Sequence, residues 1–122
     1  MVLRSVSAHA QGTQRMWHVT VTVAGAPQSL DNVRAALSRL SHVHPFLLEA
    51  RYATDSAELR YWEEAEDIAS ATAVASAMWC QHEKSAALPE WDVVGVQVLD
   101  RQTYLKHEPL RAVSEDGWLT PL

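Results

Sequence analysis

Between Met16 and Ala24, apolar and polar residues alternate without a break. Trp17, Val19, Val21 and Val23 fall on one side, and His18, Thr20 and Thr22 on the other. Period two with β-branched residues predicts a strand with one buried face. Gly25-Ala26-Pro27 stops it, and Ser29 is placed to cap a helix. Leu30, Val33, Leu37 and Leu40 then recur at helical spacing while Asp31, Arg34 and Arg39 point away. Pro45 ends this helix by pushing His44 toward an extended backbone. Alternation returns with Phe46, Leu48, Ala50 and Tyr52 opposed to Leu47, Glu49 and Arg51. After the turn residues Thr54-Asp55-Ser56, it returns again over Glu58 to Glu63, with Leu59 and Tyr61 opposed to Arg60 and Trp62. These two runs predict a hairpin.

Asp67 can cap a second, alanine-rich helix reaching Lys84 or Ser85, with Ile68, Ala71, Ala75, Met78, Trp79 and His82 near one stripe. Pro89 prevents continuation. A fourth strand is expected over Asp92 to Leu99, with Val94, Val96 and Val98 on the core side and Val93, Gly95, Gln97 and Leu99 on the other. Asp100 can cap a short helix through His107, and Asp116-Gly117 signals a turn before Trp118. The expected organisation is a tail over residues 1–15, an α+β domain over 16–107 and a C-terminal tail over 108–122.

The resulting βαββαβ order, two strand–helix–strand halves joined by a hairpin, resembles the ferredoxin-like superfold over residues 16–100. The resemblance implies a two-layer sandwich: a four-stranded antiparallel sheet, first and third strands central, with two helices on one face. Small members of that superfold include dimeric α+β barrels and ACT-type regulatory domains, many of which pair sheets or edges. The likeness rests on element order and transfers no activity. A single glycine, Gly25, stands near the position of the ACT-type ligand loop. The cysteine clusters of ferredoxins are missing, as are the aromatic sets of RNA-binding members, since His18 is the only ring on the second face of the first strand.

Composition narrows the function classes. A chain of 122 residues, 48% hydrophobic and 20% charged, fits one globular domain. Its five tryptophans against one phenylalanine make large rings the main packing units. Ten Lys+Arg against fifteen Asp+Glu give −5, with no basic cluster, so a phosphate backbone is a poor partner. Cys80 is the only cysteine, which precludes an internal disulfide and suits a reducing compartment. The apolar stretch Ala71 to Cys80 is shorter than the ~20 residues that span a bilayer, and residues 1–15 lack a secretory core. A soluble cytoplasmic protein with no membrane association is the expectation.

The sheet face away from the helices should carry His18, Thr20, Thr22, Leu47, Glu49, Arg51, Arg60, Trp62, Val93, Gly95, Gln97 and Leu99. That mixture suits an interface or a ligand site, although antiparallel sheets often show such a face to water. The ligand candidates are His18, Thr20, Glu49, Arg51, Arg60 and Trp62. An imidazole, a carboxylate and guanidiniums on one face can bind an anionic metabolite or exchange protons, or simply pair across strands. His42-Val43-His44 has metal-ligand spacing, but a histidine at a helix exit favours the C-terminal dipole, and a metal site needs three or four ligands. The run Glu63-Glu64-Ala65-Glu66-Asp67 is read as helix capping and solubility. Cys80 and His82 do not face each other on a helix, so no nucleophile is assigned.

No phosphate loop, nucleophile elbow, zinc-protease motif or dinucleotide fingerprint occurs in the sequence. The expectation is therefore a small homodimeric binding or regulatory module without metal or cofactor. The alternative is a domain that binds an anionic small molecule or a protein partner, or does acid–base chemistry, on the second sheet face.

Overall fold

The structure is a computed structural model, and the residues it describes are 15–44, 47–107 and 118–122. The N-terminal tail up to residue 14, the Pro45 and Phe46 assignments and most of the C-terminal tail, including the Asp116-Gly117 turn, lie outside them. In chain order the elements are β1 (Arg15–Ala24), α1 (Leu30–Val43), β2 (Leu47–Tyr52), β3 (Ser56–Ala65), α2 (Ile68–His82), β4 (Asp92–Asp100), α3 (Arg101–His107) and β5 (Leu119–Pro121). The strands form one mixed sheet in the order β4-β1-β3-β2-β5. The fold is α+β, with the expected βαββαβ order and with β1 and β3 inside the sheet.

The expectation of four strands is corrected to five. Leu119–Pro121 pair parallel to Ala50–Tyr52 and cover the outer edge of β2. The Ala50 amide donates to the Trp118 carbonyl and the Leu122 amide to the Tyr52 carbonyl, while Leu119 is buried. A three-residue strand ending in proline has no periodicity to read, and it is stable only because a formed edge receives it.

The helix stops and starts follow the capping residues. Ser29 Oγ accepts the Asn32 amide at 3.1 Å, and Asp67 accepts the Ser70 amide at 2.8 Å. Asp100 accepts the Thr103 amide at 2.7 Å and opens α3. One core receives Trp17, Val19, Val21 and Val23 from β1, Leu59 and Tyr61 from β3, Val33, Leu37 and Leu40 from α1, and Ala71, Ala75, Met78 and Trp79 from α2. Leu30 and Ile68, each in the first turn of a helix, are exposed rather than part of that stripe. Each buried indole N–H reaches a carbonyl: Trp17 that of Ala65 at 3.0 Å, Trp79 that of Pro89 at 3.0 Å, and Trp91 that of Ala26 at 2.8 Å. The three indoles are thereby buried with their donors satisfied.

Two β-bulges correct the facing of β2 and β4. Leu47 pairs with Tyr61 and Glu49 with Arg60, so Leu48 is the extra residue; it is exposed and Leu47 packs on the core. Thr22 pairs with Gly95 and Val23 with Val93, so Val94 is extra, 62% exposed, and Val93 joins the core side. One inserted residue shifts alternation by one position, which strict period-two reading cannot anticipate.

Candidate functional site

The sheet face opposite the core is built by cross-strand register. His18 lies between Trp62 on β3 and Leu99 on β4, and Thr20 between Arg60 and Gln97. Arg60 in turn faces Glu49 on β2, and Glu58 faces Arg51. All six candidates from the sequence therefore share one face. Of the five other residues assigned to this face from β2 and β4, Leu47 and Val93 leave it through the bulges.

These residues form two groups. Around Glu49, the Arg60 Nε lies 3.8 Å from Oε1 and the Arg51 Nε 3.8 Å from Oε2, and Arg60 Nε is also 3.5 Å from Glu58 Oε1. This is a chain of charges in which the central carboxylate is the buried member. Toward the other end of the strands, the His18 ring stacks on Tyr104 of α3 with centroids 3.8 Å apart and planes at 19°. Trp62 stands edge-on to both, 5.3 Å from His18 and 5.1 Å from Tyr104. The short helix α3 thus folds back over the second face and closes its His18 end. His18 (3%), Glu49 (7%) and Thr20 (9%) are the buried polar or charged residues of the described chain. These three side chains are withdrawn from solvent, although the face as a whole is not part of the core.

Two clefts open at the His18 end of this surface. A cleft of about 430 Å³ is lined by Arg15, Met16, Asp100, Arg101 and Gln102. A neighbouring cleft of about 280 Å³ is lined by Met16, Trp62 and Arg101. Met16 and Arg101 belong to both, so the two openings adjoin and Trp62 links them to the ring cluster. The backbone and side-chain hydrogen bonds from Thr103 hold the Asp100 carboxyl below the usual range, with Arg15 adding to the effect. Sequence reasoning missed Tyr104, Arg15, Met16 and Arg101. The Asp100 cap signals that α3 exists, and nothing in its seven residues signals which face it covers.

The histidine pair at the end of α1 does not act together. His42 Nδ1 sits 2.8 Å from the Ser38 carbonyl, as a donor within its own helix. His44 turns edge-on to Tyr61 with centroids 4.6 Å apart, and lies 5.9 Å from the His82 ring. Burial, and then repulsion from His82, hold the His44 pKa below its ordinary value. Burial, and then Glu63, push the Tyr61 hydroxyl up, and burial alone raises the Glu63 carboxyl. Neither His44 Nδ1 nor the Tyr61 hydroxyl has a hydrogen-bond partner among the described residues. No group of three or more His, Cys, Asp or Glu that could hold a metal occurs among the described residues. No described helix is long and apolar enough to cross a membrane.

An α+β domain whose second sheet face is covered at its His18 end by the short helix α3 is the class that these observations define. The chain belongs to the family described as a domain of unknown function (DUF8830), whose model matches residues 16–114. The match spans both strand–helix–strand halves, α3 and the whole second face. No curated protein matches the chain.

Proposed function

We propose that this is a binding or regulatory module rather than a catalyst, and that its working surface is the second sheet face with the clefts at its end. The observation that carries this reading is the burial of His18, Thr20 and Glu49 on a face that the core does not need. Desolvating polar groups costs free energy unless partners repay it, and such clusters concentrate at sites of recognition. The strand order β4-β1-β3-β2 supports a finer fold reading as a ferredoxin-like unit extended by β5. The single free and exposed Cys80 supports residence in a reducing cytoplasm.

The test is thermal unfolding of the full chain against a panel of anionic, neutral and cationic metabolites. A ligand at about 100 times its Kd stabilises by ~2.7 kcal/mol, several degrees in Tm for a domain of this size. The reading expects a stabilising compound whose effect is lost in Arg60→Gln and Trp62→Phe. A panel, and a deproteinised cell extract, that leave Tm unmoved would count against it.

A second reading, self-association, is favoured by the outer edge of β4. No described strand covers it, and Val94 projects from its bulge. With α3 lying over the His18 end of the second face, sheet-to-sheet stacking is obstructed there, and edge pairing is the geometry this reading uses. Asp92 and Asp100 at the two ends of β4, together with the bulge, oppose such pairing. Light scattering coupled to size exclusion decides it: a monomer at every concentration removes the reading.

A further inference from the structure

Resting on the reading that the second face is a ligand surface, the geometry points to a ligand class: a small carboxylate carrying a flat apolar group, held in the paired clefts at the end of β1. Two guanidiniums, Arg15 and Arg101, line the opening, and Arg101 belongs to both halves of it. Set against Asp100 in the same lining, they leave one net positive charge there, in a chain of net charge −5. The one carboxylate in the lining, Asp100, already accepts the Thr103 amide and is turned to capping α3. Guanidinium donors match a carboxylate better than they match an uncharged group.

The second half of the opening has the opposite character. Met16 and Trp62 supply a thioether and an indole wall, and that indole is braced edge-on by His18 and Tyr104. A flat ring can lie against such a wall, where aromatic and sulfur contacts are both favourable. At about 280 Å³, this half takes one or two fused rings rather than a nucleotide. Glu64, paired directly opposite Met16, sets a further limit. Its negative charge beside the opening disfavours a second anionic group, so the arrangement suits a monoanion and opposes polyphosphates.

The experiment titrates the full-length protein with 2-naphthoate, following indole and arginine side-chain resonances by NMR. Uncharged 2-naphthylmethanol and inorganic phosphate serve as partial probes. We expect 2-naphthoate to shift the Trp62 indole and to bind at least about tenfold more tightly than either partial probe. Raising salt should weaken it. Arg101→Gln should weaken binding by about tenfold or more, with Arg101→Lys recovering part of the loss. Arg101 and Arg15 are exposed, so Arg15→Gln and Arg101→Gln should leave circular dichroism unchanged and keep the comparison valid. No shift up to about 5 mM, equal affinity for phosphate alone, or an affinity untouched by both arginine variants would each overturn the proposal. If 2-naphthoate fails while another compound stabilises the protein in an Arg60-dependent way, the ligand class falls and the second face stands as the working surface.

Discussion

Replacing glycine by alanine should destabilise the protein at one of two positions and spare it at the other. Gly25 follows β1, with its amide bound to the Asp55 carbonyl at 3.0 Å. A methyl group there would overlap Trp91 Cδ1 and lie 3.0 Å from Cγ and 3.2 Å from the Trp91 Cα. The indole is hemmed in, because it stacks on Trp79 at 6.1 Å with planes 5° apart, and its N–H holds the Ala26 carbonyl. Overpacking of this kind costs about 1–3 kcal/mol, and losing the indole hydrogen bond adds about 1 kcal/mol. Against this, alanine removes unfolded-state freedom worth about 0.4–1 kcal/mol. The net for Gly25→Ala is therefore a loss of about 1–3 kcal/mol.

Gly95 has no such obstacle. Its added methyl would meet Thr22 Cβ at 3.6 Å and Oγ1 at 3.7 Å, an ordinary contact. Gly95→Ala should then be neutral or stabilise by up to about 1 kcal/mol. Urea unfolding followed by tryptophan fluorescence measures both variants, and near-ultraviolet circular dichroism reports the Trp79–Trp91 pair directly. A Gly25→Ala protein as stable as the parent, or the two variants changing together, would refute the packing argument.

Three further outcomes follow from other parts of the structure. Ala87 holds a left-handed backbone (φ 52°) in the loop where the Arg39 guanidinium clasps the Ala86 and Ala87 carbonyls at 2.7 and 3.0 Å. Ala87→Gly should raise stability by about 0.5–1 kcal/mol in denaturant melts, and a loss there would refute a strained alanine. Because the folded pKa of His44 lies below its ordinary 6.5, the unfolded chain binds more protons. Stability from this site is complete above pH 6.5 and drains away as pH falls through the folded pKa. His44→Gln should flatten that part of the profile. Glu63, raised by burial, works in the opposite sense, its contribution being present below pH 4.5 and lost as pH rises. Finally, Glu49→Gln should cost about 1–2 kcal/mol because the central carboxylate is buried, whereas Arg51→Gln, at a side chain 48% exposed, should cost under about 0.5 kcal/mol. Equal costs from thermal melts of the two would show that burial does not set their ranking.

Much of the fold was legible because it depends on local period and punctuation. Trp17 to Val23, the stripe Val33, Leu37 and Leu40, and the caps Ser29, Asp67 and Asp100 each act within a few residues of themselves. What escaped is what depends on the assembled sheet. Leu48 and Val94 continue a clean alternation on paper, yet each is the extra residue of a bulge, and the side assigned to Leu47 and Val93 reverses. The candidate face was readable for His18, Thr20, Glu49, Arg51, Arg60 and Trp62 because no bulge intervenes within that set. Its closure was not, since His18 meets Tyr104 only once α3 has turned back across the sheet, and seven residues carry no signal of that destination.

The fifth strand has a consequence in time. Leu119 pairs with Ala50, so the segment that seals the β2 edge is synthesised about 70 residues after the strand it protects. At ~5–20 residues per second, that edge waits on the order of 4–14 s on the ribosome with its amides and carbonyls unpaired. Closing so distant a pair also carries a large loop-entropy cost, which places it late in folding. A nascent copy of this chain therefore passes through an interval in which β2 is open to pairing with a neighbouring nascent chain. The hazard ends only when Leu119–Pro121 dock.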